Sequence, residues 1–228
     1  ERGADPTAQT KDGTTPLHRA SERGFQEVAR LLLERGADPT VQTKDGTTPL
    51  HLASEGGFQE VARLLLEHGA DAAAQTRDKL TPLCLSVRLG YANLVHSFLE
   101  RGADMTGRRN DGSMLLHSAL RWGHVQVASL LLGCGMDVEA PNKHGWTPLH
   151  VASRWGHTEA VQSLLHHGAN AIAQNKYGWT PLRLALQGGH VQVARLLVEH
   201  GADATGLDKQ GATPSQVAEG DMDIACMF

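Results

Sequence analysis

Thirteen histidines and three cysteines among 228 residues would be enough ligands and bases for metal sites or general acid–base chemistry. Their spacing argues against both. His18, His51, His117 and His150 fall in one register, 33 residues or a multiple of 33 apart. His124, His157 and His190 share a second register, each directly after a glycine. His68, His167 and His200 share a third, each directly before a glycine. Ten of the thirteen are therefore periodic, which is how residues behave when they build a repeating frame. His166 and His167 are adjacent and point different ways on a helix, a poor start for a zinc site. Cys84, Cys134 and Cys226 are odd in number and unrelated in spacing, so they read as free thiols in a reducing compartment. Walker-type phosphate loops, His-Glu-X-X-His, Cys-X-X-Cys and nucleophile elbows are all missing from the sequence. Asp38, Asp71, Asp104, Asp137 and Asp203 are again periodic. The expectation is a chain that is not an enzyme and needs no metal or cofactor.

The element that positions these residues is the period itself. Thr-Pro-Leu-His, or a decayed copy, places its proline at Pro16, Pro49, Pro82, Pro148, Pro181 and Pro214, with Leu115 in the remaining slot. A strict 33-residue period predicts a solenoid of stacked units. Within 43–75, Asp45-Gly46 signals a turn. Thr48 before Pro49 then reads as a helix N-cap followed by proline at the first helical position. A short helix through Leu50, Leu52 and Ala53 stops at Gly56-Gly57. A second, about Gln59 to Glu67, buries Val61, Ala62, Leu64 and Leu65 and ends on a left-handed Gly69. Neither helix reaches the roughly 12–15 residues that hold alone in water, so stacking must supply the stability. The net charge of -4 is mild and indicates no nucleic-acid protein. Without a glycosylation site, signal peptide or long apolar run, the expected localisation is cytoplasmic, with the nucleus as the other fitting compartment. The opening Glu1-Arg-Gly-Ala-Asp5 matches the end of a repeat, so a piece of a longer polypeptide is expected.

Asp45-Gly-Thr-Thr-Pro-Leu-His-Leu-Ala53, Gly57, Glu60-Val-Ala-Arg-Leu-Leu-Leu-Glu67 and Gly69-Ala-Asp71 together resemble the ankyrin repeat. The resemblance covers almost the whole chain as a single domain over 1–228. It comprises a trailing fragment at 1–9, six repeats at 10–42, 43–75, 76–108, 109–141, 142–174 and 175–207, and a partial C-terminal capping repeat at 208–228. It implies an all-α solenoid of stacked helix-turn-helix units joined by β-hairpin-like turns. It also implies that the first histidine class hydrogen-bonds within and between units. For function it implies a non-catalytic protein–protein interaction module, a monomeric domain serving as the recognition arm of a larger protein.

If the period encodes scaffold, departures from it encode function. The first two full repeats differ at only six aligned positions, so individuality begins in the third. In ankyrin folds partners bind the concave face of turn tips and first helices. Trp146 and Trp179 follow turn glycines, and Trp122 and Trp155 precede inter-helix glycines, so all four tryptophans and Tyr177 map to that face. Arg88, Arg121 and Arg154 share a slot where earlier repeats carry Glu22 and Glu55, and Arg77 and Lys143 lie in the turn-tip row. Trp, Tyr and Arg are the types enriched at interface hot spots. The expectation is a groove over roughly residues 77 to 188 for an acidic or aromatic-complementary protein segment. A structural spacer in which these residues pack on neighbouring turns is one alternative. Polyanion binding through turn-tip lysines is the other, and neither a membrane nor a small-molecule substrate is expected. Finally, Lys79 replaces a turn glycine, Cys84 a motif histidine and Met114-Leu115 a Thr-Pro cap, so the softest junction is expected there.

Overall fold

Among the described residues each repeat's turn spans five residues and is closed by its own backbone. In the second full repeat the Thr43 amide donates to the Thr47 carbonyl at 2.9 Å and Gly46 to Thr43 at 2.9 Å. Thr48 then caps the first helix in extended conformation, accepting from the His51 amide, with Pro49 at the first helical position. Pro contributes a φ already suited to the helix and no amide that would need a partner. The chain folds back through Gly57 (φ 70) into the second helix, which ends before Gly69 (φ 89).

The computed structural model describes residues 5–106 and 115–203, in two compact units, Glu1–Gly107 and Arg108–Phe228. The first unit holds α1 (Pro16–Glu22), α2 (Gln26–Glu34), α3 (Pro49–Glu55), α4 (Gln59–Glu67), α5 (Pro82–Leu89) and α6 (Ala92–Glu100). The second holds α7 (Leu115–Arg121), α8 (Val125–Gly133), α9 (Pro148–Arg154), α10 (Thr158–His166), α11 (Pro181–Gln187) and α12 (Val191–Glu199). Among the described residues there is no strand, and each unit is an all-α stack of helix-turn-helix repeats. No helix of the described residues is long and apolar enough to cross a membrane. The first helices (α1, α3, α5 and α7, α9, α11) and the turn tips make one side of each unit, called here the inner face; within each unit first helix packs on first helix.

Stacking is what buries the apolar surface. α2 and α4 have the same sequence, Gln-Glu-Val-Ala-Arg-Leu-Leu-Leu-Glu. Val28 and Leu31 of α2 are 47% and 52% exposed, whereas Val61 and Leu64 of α4 are 1% and 6% exposed. The amino acids are identical, so the difference comes from the helix that covers α4 and is missing from that side of α2. Full burial of such a side chain stabilises by about 1.5–3 kcal/mol, so half-burial at these two slots alone is worth about 2 kcal/mol per interface. In α3, Leu50 and Ala53 are fully buried and Leu52 only half-buried.

Lys79 takes the turn-glycine slot at φ 58, the one positive-φ residue other than glycine among the described residues. Such a backbone costs an L-residue about 1–2 kcal/mol. Cys84 leaves its cap with a single Thr81 Oγ1 contact to sulfur at 3.2 Å in place of the imidazole bonds seen in α3. Cys84 and Cys134 are free thiols. Asn110, Met114, Cys226 and the capping repeat at 208–228 lie outside the described residues.

Candidate functional site

The motif histidines do structural work, and that work positions the tryptophans. The Thr147 amide can only donate, and it donates to His150 Nδ1 at 3.2 Å, so Nδ1 is the bare nitrogen and Nε2 carries the hydrogen. Nε2–H then donates to the Trp179 carbonyl of the next repeat at 2.9 Å. His18 and His51 make the same bonds, to Thr15 and the Thr47 carbonyl and to Thr48 and the Leu80 carbonyl. His117 reaches the Trp146 carbonyl at 2.8 Å. The rings of His18, His51 and His150 therefore clamp their own caps, and all four rings pin the following turn. Burial pushes the pKa of His18 and His51 down, and that of His150, fully buried, to about 4.

In the second unit the turns are pinned further by asparagine. Asn142 Oδ1 accepts from the amides of His144 (2.9 Å) and Trp146 (3.1 Å), and Asn175 Oδ1 from those of Tyr177 (2.9 Å) and Trp179 (3.0 Å). The threonines in this slot of the first unit make a single such bond each. Both backbone groups of Trp146 and Trp179 are thus engaged, which fixes where the indoles start.

The other histidine classes are also absorbed by the frame. His157 Nε2 lies 3.5 Å from the Arg121 carbonyl and His190 Nε2 3.1 Å from the Arg154 carbonyl, each ring seated over a glycine of the preceding repeat. His68, His167 and His200 donate from Nδ1 to the carbonyl four residues earlier, satisfying the helix C-terminus. Asp38, Asp71, Asp104 and Asp137 each accept the amide two residues on, which makes them turn residues. Among the described residues no group of three or more His, Cys, Asp or Glu is placed to hold a metal ion.

On the inner face of the second unit arginines and tryptophans alternate. The Arg121 guanidinium carbon lies 5.8 Å from the Trp122 ring centre and 6.0 Å from that of Trp155. Arg154 lies 6.0 Å from Trp155 and 5.5 Å from Trp146. The order of contacts is therefore Trp122, Arg121, Trp155, Arg154, Trp146. One repeat on, Arg183 stacks 5.2 Å from Trp179, which also meets Tyr177 at 5.7 Å. Cation–π contacts at exposed sites contribute about 0.5–1 kcal/mol each, comparable with a good share of the roughly 2 kcal/mol of rotamer entropy of an arginine. Their main effect is to hold the guanidiniums in place before anything binds. Trp122 and Trp155 nonetheless stay 58% and 47% exposed.

The predicted residues fall on both sides of the division between units. Trp122, Trp146, Trp155, Trp179, Tyr177, Arg121, Arg154 and Lys143 are in the second unit. Arg77 and Arg88 are in the first, where carboxylates of the preceding repeat meet them: Asp45 at 3.1 Å and Glu55 at 3.8 Å. Lys44 meets Asp12 likewise at 3.9 Å, and these paired charges line two open hollows. Sequence reasoning overlooked Arg183. It occupies the motif-histidine slot, 33 residues after His150, and burial pushes its pKa down. The same register that sorted the histidines would have exposed it as a departure.

The model for ankyrin repeats (three copies) matches residues 2–76, 35–109, 83–175 and 170–227. The chain belongs to the ankyrin-repeat family, whose fold is typical of protein–protein interaction domains. Among solved structures it is similar to the human ASB11 ankyrin repeat domain, at 28% identity and a TM-score of 0.84 over 93% of this chain and 96% of that one. It is also similar to the ankyrin repeat domain of Bcl-3, a unique member of the IkappaB protein family, at 31% identity and 0.80 over 95% and 99%. Matching solved chains number 606, so the likeness speaks to architecture and not to any one partner. No curated protein sequence matches the chain.

Proposed function

We propose that the chain is a non-catalytic protein-binding module, the recognition arm of a larger protein, which docks its partner on the inner face of the second unit. The observation that carries this reading is the alternating ladder of Trp122, Arg121, Trp155, Arg154 and Trp146, ordered yet half open to solvent. Large exposed aromatic surface rimmed by polar groups marks interaction sites, and Trp and Arg carry a disproportionate share of binding energy. The partner is a protein segment of acidic or aromatic-complementary character. Nine of the thirteen histidines bond backbone carbonyls of the frame through a ring nitrogen, which supports a binding role without chemistry.

The test compares proteins retained by the immobilised chain with those retained by a Trp122→Ala/Trp155→Ala variant. Species that bind the wild type and are lost from the variant, with circular dichroism unchanged, support the reading. An identical set retained by a folded variant overturns it in favour of a spacer.

A further inference from the structure

The residue directly after the inter-helix glycine carries a ring in all six repeats: Phe25, Phe58, Tyr91, His124, His157 and His190. Within the units such a ring closes over a glycine of the repeat before it: Phe58 over Gly24, Tyr91 over Gly57, His157 over Gly123 and His190 over Gly156. That seat asks only for a flat face, and phenylalanine supplies one as well as histidine does. What the two histidines add is a donor. His190 Nε2 lies 3.1 Å from the Arg154 carbonyl and His157 Nε2 3.5 Å from the Arg121 carbonyl. A carbonyl only accepts, so in both rings Nε2 carries the hydrogen. Arg121 and Arg154 end α7 and α9, where carbonyls have no amide of their own helix to receive. Phe58, seated in the same way, has no polar atom to offer.

The carbonyls met in this way lie between members of the ladder. One belongs to the peptide joining Arg121 to Trp122, the other to the peptide joining Arg154 to Trp155. A peptide plane contains the Cα atoms of both residues it joins, so one bond to it steadies an arginine and a tryptophan together. These two pairs supply four of the ladder's five members. In the first unit the peptides in this position join Glu22 to Arg23 and Glu55 to Gly56, and the rings beside them are Phe58 and Tyr91. Among these four rings, the nitrogen donor occurs where there is a ladder to hold and not where there is none. From this coincidence we infer that His157 and His190 are positioning residues of the docking face, acting through Arg121–Trp122 and Arg154–Trp155. The inference rests on the docking reading above and names what aims its arginines and indoles. His157 and His190 precede α10 and α12, so each pair is aimed by the repeat that follows it.

His157→Phe and His190→Phe make the test, because each puts the first unit's own ring into the second unit. The seat over glycine is kept and the N–H is removed. Nitrogen-15 relaxation of the indole N–H groups reads the aim of each tryptophan separately on the fast timescale. His190→Phe is expected to lower the heteronuclear NOE of the Trp155 indole, and His157→Phe that of Trp122. Trp179, whose carbonyl is held by His150, is expected to keep its value in both and serves as the internal control. Binding is read on the species that the Trp122→Ala/Trp155→Ala variant fails to retain. Affinity for them is expected to fall about fivefold in His190→Phe, the worth of one net hydrogen bond. The fall should be smaller in His157→Phe, whose bond is longer. Phe58→His, which adds a donor beside a peptide without tryptophan, is expected to leave that affinity unchanged.

A purely structural role would lower the urea midpoint and leave the indole NOEs of the folded variants where they were, and that result overturns the proposal. Loss of the folded second unit in either variant overturns it as well, since the histidines would then belong to the frame alone. Loosened indoles with undiminished affinity for those species remove the two histidines from recognition and leave the docking reading standing. If no retained species depends on Trp122 and Trp155, the docking reading itself falls, and this proposal falls with it.

Discussion

Acidification should unfold the second unit before carboxylate protonation matters, and His150 is the reason. Its Nδ1 accepts from the Thr147 amide, so a proton there would face another N–H, and the ring is fully buried. Burial pushes its pKa to about 4, against an ordinary value of 6.5. The sign follows from which state binds the proton first. As pH falls through 6.5 the unfolded chain protonates this imidazole while the folded chain does not. Stability contributed by the neutral ring is therefore complete above pH 6.5 and lost progressively down to about 4. That difference corresponds to about 3 kcal/mol, a large part of the margin by which a domain of this size stays folded. All four tryptophans lie in the second unit, so tryptophan-detected urea unfolding reports on that unit alone. Measured at pH 7.5, 6.5, 5.5 and 4.5, the unfolding free energy should decline steadily below pH 6.5. His150→Gln, which cannot titrate, should start lower at pH 7.5 and show a shallower decline. Unchanged wild-type stability between pH 7.5 and 5, or a variant with the full wild-type slope, would refute the assignment of a neutral, bond-committed ring.

Gly156→Ala combines a backbone at φ +70 with a Cβ 2.4 Å from His190 Nδ1, so it should lower second-unit stability by more than about 1 kcal/mol. Adding His190→Ala should restore only the part due to the ring, which a double-mutant cycle in urea will separate. Cys84→His places an imbalanced cap back on the pattern of His51: the Thr81 amide gains an Nδ1 acceptor, and the first unit should gain about 0.5–1.5 kcal/mol by far-UV circular dichroism. Hydrogen exchange should correspondingly be faster at the amides of Lys79 to Cys84 than at those of Gly46 to His51, and equal protection would show that the two departures cost nothing.

The parts of this fold that were legible in the sequence are those set by local rules. Thr48-Pro49 announces a cap, Gly69 a left-handed exit, and the apolar spacing of α4 its buried face, and each depends only on neighbours within a few residues. Lys79 was legible for the same reason, since its slot demands a positive φ whatever the side chain. The half-burial of Leu52 and the exposure of Val28 were not, because each depends on which helix lies alongside. The candidate site divides in the same way. Register alone places Trp122, Trp146, Trp155 and Trp179 on one face. That Arg121 and Arg154 lie between the indoles, and that Arg88 is instead met by Glu55, depends on side-chain reach across repeats. Arg183 escaped because a departure from the histidine slot reads as loss until its stacking on Trp179 is seen.

The scaffold does not require the tryptophans, and this separates recognition from packing. The residue after the turn-glycine slot is Thr47, Leu80, Trp146 or Trp179 in the four repeats whose turns accept such a bond. In all four repeats its carbonyl accepts a bond from Nε2 of a preceding histidine. That bond uses backbone, so the side chain is left to vary. The residue before the inter-helix glycine is likewise Arg23, Gly56, Leu89, Trp122, Trp155 or Gly188 at the end of otherwise equivalent helices. A variant carrying what other repeats place there, Trp122→Leu, Trp146→Thr and Trp155→Gly, forfeits the four cation–π contacts of the ladder at about 0.5–1 kcal/mol or less each and disturbs no backbone bond. Urea unfolding followed by the remaining Trp179 should therefore stay cooperative, with a loss of no more than about 4 kcal/mol, while retention of wild-type partners is abolished. A variant that loses the second unit altogether would instead make the indoles part of the frame, and the exposed ladder would then owe its existence to folding.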